Sequence, residues 1–298
     1  MKKIAVLLST YNGDEYIEEQ IESIYNQKYK DFQLYVRDDG SKIEFIEKLK
    51  QLQQEYKFEL IIGENMGFVK SFMYLLDYVN DAELYAFADQ DDIWLDDKLQ
   101  NAVIWFEQQD VGNEIPCLYH SAYDIIDDER NVIGHFYFPD KGYDFRRSIT
   151  ENHYSGFAMV INARLREYML KGDWEKIGYH DWWAAMIVQA FGKSWSDERV
   201  TALHRAHGDN VTTFNMKTRL QWLKKTFAEE SELHKRAMEF KRCFGKKLED
   251  KDRKMIALFS RESYNIRYAL KKCFYPRRWR PVLSSEIVMR MLMLVGKI

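Results

Sequence analysis

Cysteine and proline are scarce here, with 3 and 4 among 298 residues, and each scarcity removes a class of protein. Cys117, Cys243 and Cys273 are odd in number and far apart, with no spacing for a disulfide framework or a metal knuckle, which points to a reducing cytoplasm. So few prolines, with no repeat and no low-complexity stretch, leave no candidate linker. Charge of one sign is also missing. A net charge of -3 gives no general bias toward nucleic acid, and no nucleic-acid-binding motif appears. No apolar run approaches the ~20 residues of a membrane-spanning helix, and the N-terminus enters a strand rather than a signal segment. Absent, too, is a basic glycine-rich phosphate loop. Residues 9–14 hold only Gly13 and no Lys or Arg, which argues against a nucleotidyltransferase. What remains is 46% hydrophobic and 15% aromatic, enough to bury a large core.

The apolar segments are short and end in polar turns. Ile4-Ala5-Val6-Leu7-Leu8 reads as a central strand buried on both faces, closing in Ser9-Thr10-Tyr11-Asn12-Gly13. Ile17, Ile21 and Ile24 then make one helical stripe. Phe32–Val36 is a second strand, stopping at Arg37-Asp38-Asp39-Gly40-Ser41. Leu60-Ile61-Ile62 is a third, followed by Asn65-Met66-Gly67 and a helix expected to turn Phe68, Phe72, Leu75, Leu76 and Val79 inward. The fourth, Leu84–Ala88, ends in Asp89-Gln90-Asp91-Asp92-Ile93-Trp94. Each strand thus delivers polar groups to one edge of a parallel sheet, where ligands bind in open α/β folds. Asp89 and Asp91 repel each other, and a hard divalent cation would relieve that repulsion. The competing reading is an acidic loop capping the next helix, through Asp92, Asp96 or Asp97.

Taken in order, Ser-Thr-Tyr-Asn-Gly, Asp-Asp-Gly-Ser, Asn-x-Gly and Asp-Gln-Asp-Asp-Ile-Trp resemble the inverting family 2 glycosyltransferases of GT-A fold, in the bacterial branch rich in rhamnosyltransferases. Ser155-Gly156-Phe157-Ala158-Met159, His180-Asp181-Trp182-Trp183 and His204-Arg205-Ala206-His207-Gly208-Asp209-Asn210 continue the pattern, over residues 1–215. The resemblance implies a nucleotide-sugar pocket formed by Ser9, Thr10, Tyr11, Asp39, Gly67, Lys70, Asp89 and Arg205. It implies Mn2+ or Mg2+ at Asp91, with Asp89 on the ribose or beside the metal, and His207 completing the metal or diphosphate site. Asp38 reads instead as a turn cap, and Lys70 equally as a solvated side chain. Asp181 is the candidate general base, with a helix N-cap as its competing role. The implied donor is dTDP-rhamnose, with UDP-hexoses and UDP-N-acetyl sugars as alternatives. The implied acceptor is a growing cell-surface glycan or a lipid-linked saccharide. A non-catalytic nucleotide-sugar-binding scaffold is the rival function.

Two positions depart from the family pattern: Ala122 replaces an acid at a strand end, and His180 stands where a second acid is frequent. Residues 216–298 read as a helical appendage, with one helix beginning at Leu220, Leu223 and Phe227 and another at Met255, Leu258 and Phe259. From Asn265 to Ile298 Glu286 is the sole acid, against Arg267, Lys271, Lys272, Arg277, Arg278, Arg280, Arg290 and Lys297. Interleaved aromatics, and an apolar stripe through Ile287, Met291, Leu294, Val295 and Ile298, suit an anionic membrane interface with Trp279 at headgroup depth. Packing on the catalytic domain, or a homodimer contact, suits the same pattern. The expected location is cytoplasmic, at the inner face of a bacterial cell membrane.

Overall fold

The apolar runs become strands at the positions their turn residues delimit. A computed structural model describes residues 2–13, 16–109, 114–206 and 231–298. Strands β1 (Ile4–Thr10), β2 (Phe32–Asp39), β3 (Glu59–Gly63) and β4 (Leu84–Ala88) are mutually parallel. Helices α1 (Tyr16–Tyr25), α2 (Ile43–Tyr56) and α3 (Phe68–Tyr78) connect them. The chain continues through β5 (Ile93–Trp94), α4 (Lys98–Gln108), β6 (Cys117–Ile126), β7 (Val132–Phe136) and α5 (Phe145–Thr150). A 3-10 turn over Gly156–Ala158 leads into β8 (Met159–Asn162), α6 (Ala163–Met169), α7 (His180–Phe191) and the long β9 (Lys193–Arg205).

These strands make one sheet in the order β3-β2-β1-β4-β8-β6-β9-β5, with β7 paired to β6. Strand β8 runs antiparallel between β4 and β6, while β6 and β9 are parallel. The sheet is therefore mixed, parallel in its first half. One apolar layer, with Ile17, Ile21, Leu49 and Leu99, packs beneath it under α1, α2 and α4. The other, with Phe72, Leu165 and Trp183, lies under α3, α6 and α7.

The C-terminal helices α8 (Glu232–Phe244), α9 (Asp250–Ile256) and, after α10 (Ile266–Cys273), α11 (Leu283–Leu294) add to that second layer, and α10 packs on α11. Phe240 packs on Phe145 and Trp183 at 5.2 and 5.5 Å between ring centres. The C-terminal helices therefore share this core. The expected boundary at 215/216 and the helix at Leu220–Phe227 lie outside the described residues. Helix α5 is the junction: Thr150 Oγ1 donates to the Trp279 carbonyl (3.2 Å), Arg280 Nη2 donates to the Thr150 carbonyl (2.8 Å), and Arg146 donates to the Arg278 carbonyl.

Three expectations are corrected. Phe68 is 53% exposed, because it opens α3 at the sheet edge, where no layer lies above it. Leu258 and Phe259 follow α9, whose last residue is Ile256. Trp279 is fully buried between Phe259 and Tyr275, where the aromatic core takes a ring that the sequence pattern assigned to a lipid surface.

Candidate active site

The acidic corner forms where β4 turns into β5. Burial, together with the charges of Asp92 and Asp91, pushes the Asp89 carboxyl well above its ordinary range. Asp92 is buried and accepts from His204 Nδ1 at 2.7 Å, while its second oxygen has no hydrogen-bond partner. Burial opposes the charged form of His204, but Asp92, Asp89 and Asp91 outweigh it and raise the imidazole pKa. The Phe157 ring stacks on His204 at 4.6 Å, so the Ser-Gly-Phe turn fixes the imidazole. His204 was not singled out in the sequence. Its signal lay in the same His-Arg-Ala-His run as His207, which lies outside the described residues. Arg205 is buried, pairs with Glu19 at 2.7 Å and donates to the Asp91 carbonyl at 3.2 Å, holding the corner from behind. The capping alternative gains nothing from Asp97, which stands at the α4 N-cap with no side-chain bond. Asp96 pairs with Lys28 instead. Among the described residues no three His, Cys, Asp or Glu side chains are gathered to hold a metal ion.

Gln90, between the acids, ties the corner to β1. Its Oε1 accepts from Thr10 Oγ1 at 2.6 Å and from the Tyr11 amide at 2.9 Å. Ser9 donates to Ser71 on α3, and the Tyr11 ring is half exposed at the mouth. Asp38 accepts from the Gly40 and Ser41 amides, as a turn cap should. Asp39 is buried on the same strand end. Its oxygens accept from Arg37 at 2.5 Å and from the amides of Met66 and Gly67 at 2.9 and 2.8 Å. One carboxylate thereby gathers the ends of β2 and β3. Gly67 has φ +84°, with open space where a Cβ would stand, so its backbone faces the cleft bare. Lys70 pairs with Glu175 at 2.7 Å, an exposed contact.

Across the cleft, α7 begins at His180 and Asp181. The Trp182 amide donates to Asp181 Oδ1 at 2.6 Å. Burial pushes the Asp181 carboxyl up to about 6, against the pull of Trp182 N–H, Asn152 and Arg236. A carboxylate poised there is half-protonated near the pH where a base must work. The first residue of α7, His180, packs on Phe87 at the end of β4 at 5.1 Å, which brings Asp181 beside the corner. Arg236 on α8 is 1% exposed, lies 3.6 Å from the Trp182 ring centre, and has no partner for Nε or Nη1. Gly178 makes room for it, since a Cβ there would fall 2.6 Å from Nη1. His180 takes no part. It is buried between Phe72 and Phe87 at 4.6 and 5.1 Å, and burial lowers its pKa to about 3. The imidazole that stands where a second acid is frequent thus lies in an aromatic core and stays neutral. The exposed rings of Phe68 and Tyr179, 5.9 Å apart, bridge the gap between Gly67 and α7.

The comparisons with known proteins point to one family and one fold. The family model described as "Glycosyl transferase family 2" matches residues 5–169. The chain is 30% identical over 230 residues to the dTDP-rhamnosyl transferase RfbG of Shigella flexneri, covering 70% of this chain and 74% of that one. It is 27% identical over 146 residues to the Escherichia coli beta-1,3-glucosyltransferase WfgD, covering 46% and 52% respectively. Among solved structures, S. aureus TarS 1-349 is similar with a TM-score of 0.57 at 13% identity, over 99% of this chain and 80% of that one. The mannosyltransferase PcManGT of Pyrobaculum calidifontis, solved with GDP-Man and Mn2+, is similar with a TM-score of 0.51 at 17% identity, over 86% and 68%. The fold is thereby GT-A: α/β, a mixed sheet flanked by helices, with further helices at the C-terminal side.

Proposed function

The chain belongs to glycosyl transferase family 2 and is a glycosyltransferase using nucleotide sugars, and from that premise we propose that it transfers rhamnose from dTDP-rhamnose, with inversion, to a growing cell-surface glycan or lipid-linked saccharide. The observation that carries this reading is that His180, the residue before Asp181, packs on Phe87 at 5.1 Å, two residues before Asp89, which sets the start of α7 beside the acidic corner. The similarity to a dTDP-rhamnosyl transferase supports the sugar.

In this reading the nucleoside lies along Ser9, Thr10, Tyr11 and Asp39, above the bare backbone of Gly67. Asp181 accepts the proton of the acceptor hydroxyl at a carboxylate oxygen as that oxygen attacks the anomeric carbon. The C–O bond to the diphosphate breaks on the opposite face. One displacement inverts the centre, and no covalent intermediate is required.

The corner suits a hard divalent cation. Burial and the charges of Asp92 and Asp91 press the Asp89 carboxyl toward its neutral form, and one Asp92 oxygen is buried without a hydrogen-bond partner. Magnesium takes only one or two protein carboxylates and completes its shell with phosphates and water, so a full protein cage is not needed. Asp91 and Asp89 would hold Mn2+ or Mg2+, which when bound supplies neutralisation of the departing diphosphate.

A panel of dTDP-rhamnose, UDP-glucose, UDP-galactose and UDP-N-acetylglucosamine, assayed for hydrolysis with and without manganese, tests the proposal. Fastest turnover of dTDP-rhamnose with metal is expected. Preference for a UDP-sugar moves the donor, and binding without turnover of any sugar leaves a scaffold.

A further inference from the structure

We propose that the outer face of α10 and α11 docks on a bilayer of anionic phospholipid. The inference is independent of the donor and acceptor assigned above. Of the twenty large hydrophobic side chains exposed among the described residues, ten lie between Tyr264 and Val295. They are ordered rather than scattered. Ile266, Leu270 and Phe274 repeat every four residues along α10 and just past its end. Ile287, Met291 and Val295 do the same on α11, each set forming one outward stripe. The inward faces are already used by Ala269 and Lys272, and by Met289, Leu292 and Met293. The two helices pack on each other, and Tyr264 Oη donates to the Leu294 carbonyl at 2.7 Å, which joins the stripes at one end.

Charge identifies the occupant. The only acid between Asn265 and Ile298 is Glu286, which is 3% exposed and accepts from the Trp279 and Arg280 amides and from Arg290. Exposed Arg267, Lys271 and Arg278 are therefore answered by no acid of this segment, while Arg277 reaches Asp144 at 3.9 Å. A twofold contact with a second copy would set this basic face against the same basic face. A surface of anionic headgroups over hydrocarbon satisfies both stripes and charges.

Co-sedimentation of the full chain with phosphatidylglycerol–phosphatidylcholine vesicles, beside pure phosphatidylcholine vesicles, tests this at low and high salt. Binding to the anionic vesicles is expected, weakening as salt rises. Phe274→Ser with Met291→Ser should lower the apparent affinity at least about tenfold. Arg267→Glu with Lys271→Glu should abolish the salt-sensitive part. Both pairs are exposed and should leave the melting temperature and donor hydrolysis unchanged. No binding by the intact chain, or equal binding by the apolar pair, overturns the proposal. So does sedimentation velocity showing a dimer that the Phe274/Met291 pair dissociates, which assigns the face to a second copy.

Discussion

Asp181 answers to pH twice, in opposite directions. In the proposed role of base it works only when ionised, and burial pushes its pKa up to about 6, so kcat/KM should climb through pH 6 and level off above it. In folding the sign reverses. The folded pKa lies above the ordinary 3.8, so its contribution to stability is complete below pH 4 and is lost as pH rises through 6. Asp181→Asn should therefore slow transfer at least about a hundredfold, erase the acidic limb, keep donor Kd, and melt no lower than the wild type at pH 8. Activity near wild type in that mutant would mean the side chain only caps α7, since Asn caps about as well as Asp. Arg236→Met should move the limb to higher pH by removing a cation beside the base, and Arg236→Lys should restore part of it; an unmoved limb would separate Arg236 from Asp181. At the corner, Asp91→Asn should abolish the manganese-dependent part of dTDP binding in calorimetry, and unchanged affinity would remove Asp91 from the metal. Asp89, Asp91 and Asp181 were legible because acids at a strand end or a helix start break an apolar pattern. Arg236 was not, because what marks it is a partner far away in the chain; His204 shares its run with His207, and position in the run does not say which of the two faces the acids.

Among the elements, the turns at the sheet edge hold the most information. Asp39 gathers β2, Met66 and Gly67, and the turn depends on a backbone angle that side chains avoid. Gly67→Ala meets no neighbour, so its cost is conformational: about 1–3 kcal/mol in a denaturant melt, with a raised donor KM. A loss well below that would show the turn relaxing to another angle. The first four strands could be read from sequence because a strand buried on both faces is apolar throughout. The antiparallel β8, and the pairing of β5 with β9, could not be read, because periodicity reports a strand's environment and never its neighbour.

At the scale of the molecule, Phe240 and Trp279 bind the C-terminal helices into the catalytic core. Removing residues 276–298 should therefore lower the melting temperature sharply. Truncating one large buried aromatic typically costs about 3–5 kcal/mol, and the cut also removes Met289, Leu292 and Met293. An unchanged melt would show those helices to be dispensable to the core. The basic and apolar bias of this segment was plain in sequence, yet the direction Trp279 faces was not, since composition carries no vector. Helix α5 connects the two ends of the molecule: Thr150 grips Trp279 and Arg280, and the Ser148 carbonyl accepts the Trp182 indole at 2.6 Å, one residue from Asp181. With the outer face seated on lipid, this strut works as a gauge, setting the altitude at which a hydroxyl can be reached. Tethered acceptors should then be chosen by stem length as well as by the sugar they end in, and a glycan grown past that altitude must lean over to be extended again.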